Sequence, residues 1–418
     1  MVKILVLGAG VVGTAAAYYL VKAGHAVSVI ERRLGAGLET SFANAGHVCA
    51  TTSQPWADPS VPRMVLKEWG RADAPFVMRL RADPAMWGWA LRFLRHCNAA
   101  DARRITADLG RLAKYSHDAL VALRETETLD YDQSRRGLLY LYRGTAGFDA
   151  AARAAGALDA DFRPQVMDMA ACVDVEPALN AAQDLYAGGL YYRDDETGDA
   201  HLFTRRLAEI AEALGADFRY GVSARALRRD GDTVIGAATD HGDFDADATV
   251  LSLGSYSPAL LRSLGLRLPI YPVKGYSVTI PVAGRNGAPA MGIADRSRKI
   301  GMSRLGDRFR IAGTAELTGH DTTLNESRAR AILRTAKSIF PDAGDWDDAT
   351  LWTGLRPMTP DCAPVVGATT YRGLYLDTGH GSLGWTLACG SGRAIADIVS
   401  GRPAEIDLDG LTPARFLG

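Results

Sequence analysis

The amino-acid sequence predicts an α/β fold, partly α+β, in which a Rossmann-like domain is interleaved with a domain built on a mixed β-sheet. Three observations lead to this prediction. Residues 3–31 read as an apolar strand, a glycine-rich turn, a helix and a second apolar strand. A similar strand, turn and helix pattern returns near residue 380. Between them, residues 267–315 alternate apolar and polar positions, which is typical of antiparallel strands.

The first element is a buried strand that runs into a glycine-rich turn. Apolar residues 4–7 precede the motif Gly8-x-Gly10-x-x-Gly13, and helical composition follows up to residue 23. In such a unit the first glycine makes the tight turn and the second lets the backbone approach a pyrophosphate. The third packs the helix against the strand, and the N-terminus of the helix holds the phosphates.

The second strand, residues 26–30, ends at Glu31, where a carboxylate can accept hydrogen bonds from the hydroxyls of a ribose. A glycine motif alone is weak evidence, because glycines also mark ordinary turns. Here the strands, the helix and the acid have the spacing of a complete nucleotide-binding unit, so we predict an adenine dinucleotide. The spacing does not distinguish NAD from FAD, since both contain ADP.

The composition is that of a globular protein of one or two domains, with 418 residues, 23% charged and 47% hydrophobic. A net charge of -1 gives no electrostatic reason to expect a nucleic-acid partner. The five cysteines never form a Cys-x-x-Cys pair, which favours reduced thiols over disulfides or zinc. The first strand begins too early for a signal peptide, and no apolar run approaches the ~20 residues of a membrane span. We therefore expect a cytoplasmic protein that is soluble or at most attached to a membrane surface.

The elements between the two glycine-rich segments follow from composition and periodicity. In chain order they are aromatic-rich helices after Pro55 up to about residue 130, a strand at 137–143, helices at 148–158 and 202–214, a strand at 217–220, a hairpin turning at Asp230-Gly231, a strand at 248–253, antiparallel strands at 271–281, 299–304 and 308–316, and a helix at 326–340.

The segment Thr378–Thr386, TGHGSLGWT, favours FAD over NAD. A nicotinamide enzyme needs no second glycine-rich helix start near its C-terminus. The N1/O2 edge of a reduced flavin is negatively charged, and backbone amides at a helix N-terminus stabilise that charge. Gly379, Gly381 and Gly384 would let the backbone approach the ring. The alternative is an ordinary tight turn before a capped helix.

The same segment resembles the nucleophile elbow of serine hydrolases around Ser382. Those folds place the histidine of the triad after the serine, and no histidine follows Ser382 in this sequence. Serine hydrolase chemistry is therefore excluded.

An arginine in a proline-rich segment is the candidate contact for a substrate carboxylate. Arg356 directly precedes Pro357, and the nearby Pro360 and Pro364 make the path stiff and non-helical. A guanidinium held in this way can bind a carboxylate through two hydrogen bonds. The alternative is a surface ion pair.

Two further segments allow more than one interpretation. Residues 194–199 contain four acids without the spacing of a calcium loop, so we predict a turn before a helix and no metal site. Residues 86–95 form an amphipathic segment with two arginines among large apolar groups, which suits a membrane surface or, more readily, packing beneath the second domain.

The motifs together resemble those of the bacterial FAD-dependent D-amino-acid dehydrogenases (small subunit), within the D-amino-acid oxidase/glycine oxidase superfamily. The resemblance covers nearly the whole chain and implies a fold of that superfamily with noncovalent FAD. Beyond the first motif it is carried by Glu39-Thr-Ser-x-Ala-Asn-Ala-Gly46, Pro55-Trp-Ala57, Asp195–Asp199, Gly254–Ser257, Tyr271–Ser277, Trp352–Asp361 and Thr378–Thr386.

The resemblance also implies the site residues. Arg356 would bind the substrate carboxylate, Lys274, Tyr276 and Lys299 would line the pocket, and His47 and His380 would flank flavin-contacting glycines. His47 is a departure, because another polar residue is expected there in relatives, and this implies a different substrate preference. The implied cofactor contacts are Gly8, Ala9, Gly10, Val11, Val12, Gly13, Glu31, Arg32, Arg33, Thr40, Ser41, Asn44, Ala45, Gly46, Val222, Gly254, Gly354, Gly379, His380, Gly381, Ser382, Leu383, Gly384, Trp385 and Thr386.

The implied activity is oxidative deamination of D-amino acids to 2-oxo acids and ammonia. Electrons would pass from FAD to a quinone or another acceptor of the respiratory chain instead of oxygen, on the cytoplasmic face of the inner membrane. One alternative is an oxidase, or a dehydrogenase of glycine, sarcosine or a proline derivative. Another is a noncatalytic flavin-binding sensor.

The two domains are expected to be discontinuous. Residues 1–60, 197–265 and 352–418 would form the FAD-binding domain, and residues 61–196 and 266–351 the substrate-binding domain.

Overall fold

The structure, a computed structural model, describes residues 1–68, 74–79, 81–158 and 162–417. The strands are β1 (Lys3–Leu7), β2 (Ala26–Glu31), β3 (His47–Val48), β4 (Phe76–Met78), β5 (Leu138–Tyr142), β6 (Gln165–Met167), β7 (Gly188–Tyr192), β8 (Glu196–Thr197), β9 (Asp217–Tyr220), β10 (Ala224–Asp230), β11 (Thr233–Thr239), β12 (Gly242–Asp245), β13 (Ala248–Leu251), β14 (Tyr271–Pro281), β15 (Gly292–Asp295), β16 (Ile300–Leu305), β17 (Arg308–Leu317), β18 (Thr350–Met358), β19 (Val365–Ala368) and β20 (Leu374–Thr378). The α-helices are α1 (Val11–Lys22), α2 (Val61–Glu68), α3 (Pro84–His96), α4 (Ala99–Thr126), α5 (Thr145–Gly156), α6 (Met169–Val175), α7 (Ala200–Ala213), α8 (Ser257–Leu261), α9 (Glu326–Ile339), α10 (Gly384–Val399) and α11 (Ala414–Leu417).

The first large sheet has six strands in the order β19-β20-β13-β1-β2-β9. All of its neighbours are parallel except β19 and β20. Ile4 and Val6 of β1 pack into a core shared with α1, α4, α7 and α10. Leu5 and Leu7 face the opposite side, where β10 and β11 contribute to the core. Burial on both faces explains why β1 is almost continuously apolar.

The second large sheet has nine strands, with β18-β14-β17-β16-β15-β5-β7-β6 in order and β4 beside β17. Its strands β14, β16 and β17 share a core with α6 and α9. The outermost strand, β18, contains Pro357, which an edge position tolerates because proline has no amide proton to donate. The predicted domain boundary at residue 352 falls inside β18, and the division into domains stays a prediction.

The mixed α/β architecture agrees with the fold class expected from the sequence. The strands at 217–220 and 271–281 begin and end as expected. One expectation is wrong: Phe76 lies in strand β4, because its backbone pairs with Ala315 of β17, and not in a helix. Residues 69–73 of the region expected to be helical lie outside the described residues.

The two sheets are joined beside the C-terminal glycine-rich turn. The amide of Gly381 donates a hydrogen bond to the carbonyl of Pro357 at 3.0 Å, and Met358 and His380 form an isolated antiparallel bridge. The strand that carries Arg356 is therefore fixed against the turn that precedes α10. Among the residues that the structure describes, no helix is long and apolar enough to cross a membrane.

The acidic residues at 195–199 bind other groups of the protein, and the cysteines form no disulfides among the described residues. Asp195 accepts hydrogen bonds from Thr51 and Thr52, Glu196 pairs with Arg124, and Asp199 caps α7. All five cysteines are free thiols.

Candidate cofactor and substrate site

A cavity of about 900 Å³ extends from the carboxyl edge of the six-stranded sheet to the nine-stranded sheet, where residues of β5 and of β14 to β18 line it. Turns that follow β1, β13 and β20 line it, and so does Glu31 at the end of β2. In open α/β sheets, ligands bind at this edge. At its other end the cavity reaches Arg356 of β18, Gly275 of β14 and the aromatic side chains of Trp56, Trp89 and Phe93.

The first glycine-rich turn is shaped by close backbone contacts. Gly8 has φ +103°, and a Cβ atom there would lie 2.8 Å from the carbonyl oxygen of Ser252. A Cβ on Gly13 would lie 2.0 Å from the carbonyl oxygen of Gly8. For Gly10 the nearest atom is Ser41 Oγ at 3.6 Å. Contacts within the protein therefore require glycine at positions 8 and 13, whereas the space beside Gly10 is part of the cavity.

The carboxylate of Glu31 is oriented by two backbone amides. Its Oε2 accepts from Ala9 at 2.9 Å and its Oε1 from Arg33 at 2.8 Å. Burial raises the pKa of Glu31, although both amide hydrogen bonds act in the opposite direction. Each carboxylate oxygen can accept one further hydrogen bond. The group is thus fixed in orientation and able to bind a pair of hydroxyls.

Beside Glu31, cationic and aromatic groups enclose the same end of the cavity. The guanidinium of Arg32 lies 3.8 Å from the ring centroid of Tyr256 and pairs with Glu39 at 2.5 Å. Arg33 also pairs with Glu39, at 2.6 Å, but does not line the cavity. The ion pair with Glu39 fixes the guanidinium of Arg32 at the wall of the cavity, whereas Arg33 lies outside the cavity.

The loop after β2 connects the first glycine-rich turn to β18. Ser41 Oγ accepts a hydrogen bond from the amide of Val11 at 3.0 Å. Thr40 Oγ1 donates to the carbonyl of Leu355 at 2.7 Å. Asn44 Oδ1 accepts from the amide of Gly46 at 2.9 Å. These contacts place the loop along the middle of the cavity.

The C-terminal turn presents the N-terminus of α10 to the cavity. Gly379 and Gly381 have φ +76° and +56°, and a Cβ on Gly381 would lie 2.7 Å from Met358 Sδ. Within the described residues no side chain caps α10 at Leu383. The amides of its first turn are therefore free to bind a negatively charged group.

Arg356 lies partly buried in the cavity with a defined orientation. Its Nη1 donates to the carbonyl of Thr314 at 2.9 Å, and its guanidinium carbon lies 5.5 Å from the ring centroid of Trp56. Burial lowers its pKa to about 10, so it stays cationic at neutral pH. In the part of the chain that the structure describes, no carboxylate forms an ion pair with it. The surface ion pair that the sequence left open is not present there.

Of the candidate catalytic residues Lys274, Tyr276 and Lys299, two line the cavity and one does not. Tyr276 and Lys299 line the cavity, but the Tyr276 hydroxyl donates to Glu316. Burial lowers the pKa of Lys299. The structure does not place Lys274 among the lining residues, because its ammonium bonds Asp321 at 3.2 Å and the carbonyl of Thr323 at 2.8 Å.

Both candidate histidines line the cavity as neutral groups. His47 Nε2 lies 3.3 Å from the carbonyl of Met302, and burial lowers its pKa to about 4. His380 Nε2 lies 3.0 Å from Ser391 Oγ, and burial lowers its pKa to about 3. Neither side chain carries a charge at neutral pH.

The structure brings most of the implied cofactor contacts together. The implied cofactor contacts that do not line the cavity are Ala9, Gly13 and Arg33. The lining also includes Trp56, Tyr140, Arg296 and Asp377, to which the sequence had assigned no role. Trp56 lies in the Pro55-Trp-Ala57 motif, which was the one signal that could have indicated it.

The chain is similar to known proteins over nearly its whole length. Residues 3–398 match the family described as FAD dependent oxidoreductase. A D-amino acid dehydrogenase of Paramagnetospirillum magneticum is 53% identical over 99% of both chains, and one of Granulibacter bethesdensis is 46% identical over 100% of both. Among solved structures, glycine oxidase from Geobacillus kaustophilus has a TM-score of 0.74 at 23% identity over 100% of both chains. L-proline dehydrogenase from P. horikoshii also has a TM-score of 0.74, at 17% identity over 99% of this chain and 97% of that one.

Proposed function

The chain belongs to the FAD-dependent oxidoreductase family, and on this premise we propose that it oxidises D-amino acids to 2-oxo acids and ammonia. The observation that carries the proposal is Arg356, a guanidinium without a carboxylate partner in the described residues, at the end of the cavity opposite the dinucleotide-binding turn. Full-length similarity to D-amino acid dehydrogenases supports the D configuration of the substrate.

The residues of the cavity fit noncovalent FAD. The turn from Gly8 to Gly13 would receive the pyrophosphate at the N-terminus of α1, and Glu31 would bind the ribose of the adenosine. The uncapped N-terminus of α10 would face the pyrimidine edge of the flavin. When bound, FAD accepts the hydride from the substrate α-carbon.

The protein residues would orient the substrate and exclude water. Arg356 would hold the carboxylate through two N–H groups, which fixes the α-carbon relative to the ring. Trp56, Trp89 and Phe93 would surround the remainder of the substrate with apolar surface. A neutral amine needs no strong base for this step, because its lone pair assists the departure of the hydride. Hydrolysis of the imine in water then releases ammonia.

We further propose that the electrons leave to a quinone or another membrane-bound acceptor, on the cytoplasmic face of the inner membrane. The support is the outer face of α3, where Trp87, Leu91 and Leu94 are exposed beside Arg92 and Arg95. An apolar face flanked by cations suits a surface of anionic lipid.

The same helix connects that surface to the cavity. Trp89 and Phe93, on the inner side of α3, line the cavity wall. A membrane-bound acceptor that approached α3 would therefore lie beside the substrate end of the site.

The decisive experiment is an anaerobic titration of the purified protein. Addition of D-alanine should bleach the visible flavin spectrum, whereas L-alanine and sarcosine should not. Bleaching by sarcosine or glycine alone would replace the proposed substrate class with a secondary amine or glycine. A flavin spectrum that no amine changes would leave a flavin-binding protein without this activity. Oxygen consumption without added acceptor would contradict the proposed quinone acceptor.

A further inference from the structure

Asp377 is a buried carboxyl group without a conventional partner. Its side chain is fully buried at the end of β20, and neither oxygen has a hydrogen-bond partner among the described residues. The ring of His380 lies beside it, with Nε2 3.4 Å from Oδ1, and the Ser391 hydroxyl is a second polar neighbour. His380 is itself buried and lies 3.0 Å from Ser391 Oγ of α10.

This pair lies directly behind the turn assigned to the flavin. Asp377 and His380 flank Thr378 and Gly379 in the sequence. The side chains of Asp377 and His380 both belong to the wall of the cavity. The amide of the following residue, Gly381, bonds the carbonyl of Pro357. The pair therefore lies between the N-terminus of α10 and the strand that carries Arg356.

The surroundings favour an uncharged pair. From the neighbouring elements, Val366 of β19 pairs with Asp377, Ser391 of α10 contacts both His380 and Asp377, and Met358 of β18 forms the bridge with His380. None of these groups is charged. An unpaired buried carboxylate is strongly disfavoured and takes up a proton instead. Burial accordingly raises the pKa of Asp377 to about 8 and lowers that of His380 to about 3.

We propose that Asp377 is a positioning residue held as a neutral carboxylic acid that donates to His380, so that no anion lies behind the turn where the bound cofactor becomes negative. The proposal rests on the proposed FAD site. It assigns to Asp377 an electrostatic role: the helix N-terminus attracts negative charge, and an ionised Asp377 would oppose it from the buried side.

Reduction of FAD is then linked to the proton on Asp377. Where Asp377 has lost its proton in the oxidised protein, the negative charge on the reduced cofactor raises its proton affinity. Two-electron reduction by an added reductant is then accompanied by uptake of one extra proton from water onto the Asp377 carboxylate. A variant that cannot ionise at this position takes up no such proton.

The test measures the two-electron midpoint potential of the FAD-loaded protein against pH, for the wild type and D377N, with indicator dyes and without any substrate. Asparagine keeps the shape and a hydrogen-bond donor. Above about pH 8 the wild-type potential should fall more steeply than that of D377N, and below that pH the two should run parallel. Equal slopes over the whole range would overturn the proposal.

Two further measurements keep the test independent of folding and of the substrate proposal. D397N is the matched control, because Asp397 is a nearly buried aspartate of α10 that pairs with Arg402; its slope should equal that of the wild type. Infrared difference spectra of the wild type minus D377N should show a protonated carboxylic acid at neutral pH that ionises in the alkaline range, and absence of that band would overturn the proposal. A steeper slope in a protein that leaves D-alanine untouched would refute the proposed substrate alone.

Discussion

The carbonyl oxygen of Thr314 accepts a hydrogen bond from Nη1 of Arg356 at 2.9 Å. Thr314 has φ +55°, a left-handed conformation that is unfavourable for a β-branched residue. This conformation turns its carbonyl towards the guanidinium. Gly275 leaves room for the same group, since a Cβ there would lie 2.2 Å from Arg356 Nη1. Two strands of the sheet thus fix the orientation of one arginine.

Arg356→Lys should weaken substrate binding and preserve the fold. Lysine keeps the positive charge but loses the planar pair of donors, and a hydrogen bond to a charged group contributes roughly 1.5–3 kcal/mol. We expect KM for D-alanine to rise by about tenfold to a hundredfold, as measured with a soluble dye as acceptor. Arg267→Lys, at an exposed position, is the control. An unchanged KM would remove Arg356 from the substrate site.

Gly275→Ala should have a similar but smaller effect. The added methyl group would meet the guanidinium of Arg356, which is the flexible end of a side chain, so the arginine moves and the backbone does not. KM should rise by about tenfold, with little change in the melting temperature of the protein. A large loss of stability with a normal KM would show that the methyl group displaces β14 instead.

Gly10→Ala and Gly13→Ala should separate cofactor binding from folding. At Gly10 a methyl group has room within the protein, because its nearest neighbour is 3.6 Å away, but it projects towards the proposed pyrophosphate. We expect Gly10→Ala to weaken FAD binding at least about tenfold and to leave the apoprotein melting temperature nearly unchanged. Gly13→Ala should destabilise the apoprotein itself, because the methyl group would meet the backbone of Gly8 at 2.0 Å. Calorimetry of FAD binding and thermal unfolding of the apoprotein measure the two effects.

Glu196→Gln should reduce stability at neutral pH and much less in acid. Burial opposes ionisation of Glu196, but hydrogen bonds from Arg124 and His117 outweigh it and lower its pKa to about 2. A carboxylate with a lowered pKa stabilises the folded state above its unfolded pKa, and this contribution is lost as the pH falls through the folded pKa. The expected loss at pH 7 is roughly 3–5 kcal/mol.

Chemical unfolding at neutral pH and near pH 2 measures this difference. Glu209→Gln provides the control, because Glu209 is exposed and forms only surface ion pairs. An equal deficit of Glu196→Gln at both pH values would contradict an ionic origin.

Replacement of both Leu91 and Leu94 by serine should weaken binding to anionic lipid vesicles. Both leucines are exposed on α3 beside Arg92 and Arg95, and burial of each side chain in lipid contributes roughly 1.5–3 kcal/mol. Co-sedimentation with vesicles should fall by at least about tenfold, while activity with a soluble dye stays unchanged. Leu214→Ser, another exposed leucine outside α3, should not alter sedimentation. Equal sedimentation of all three proteins would remove α3 as the contact surface.

Local sequence patterns predicted much of the fold. The spacing of Gly8, Gly10 and Gly13 between two apolar strands predicted the nucleotide-binding unit, because tight turns and buried strands depend on short-range sterics and periodicity. The strand at 271–281 was recognised for the same reason. Phe76 was misplaced, because its strand exists only through pairing with β17, which is more than two hundred residues distant in the chain.

The candidate site was likewise only partly predictable from the sequence. Arg356 and the turn at Thr378–Thr386 stood out in the sequence because proline and glycine constrain the backbone locally. Three features of the site were not visible in the sequence. They are the environment of Asp377, the left-handed conformation of Thr314, whose carbonyl binds Arg356, and the direction of Lys274 away from the cavity. The sequence by itself determined the family and the cofactor class, and it predicted which residues would bind the cofactor. Only the tertiary structure decided which side chains face the cavity and which ones are neutral there, because burial and the approach of distant strands set both properties.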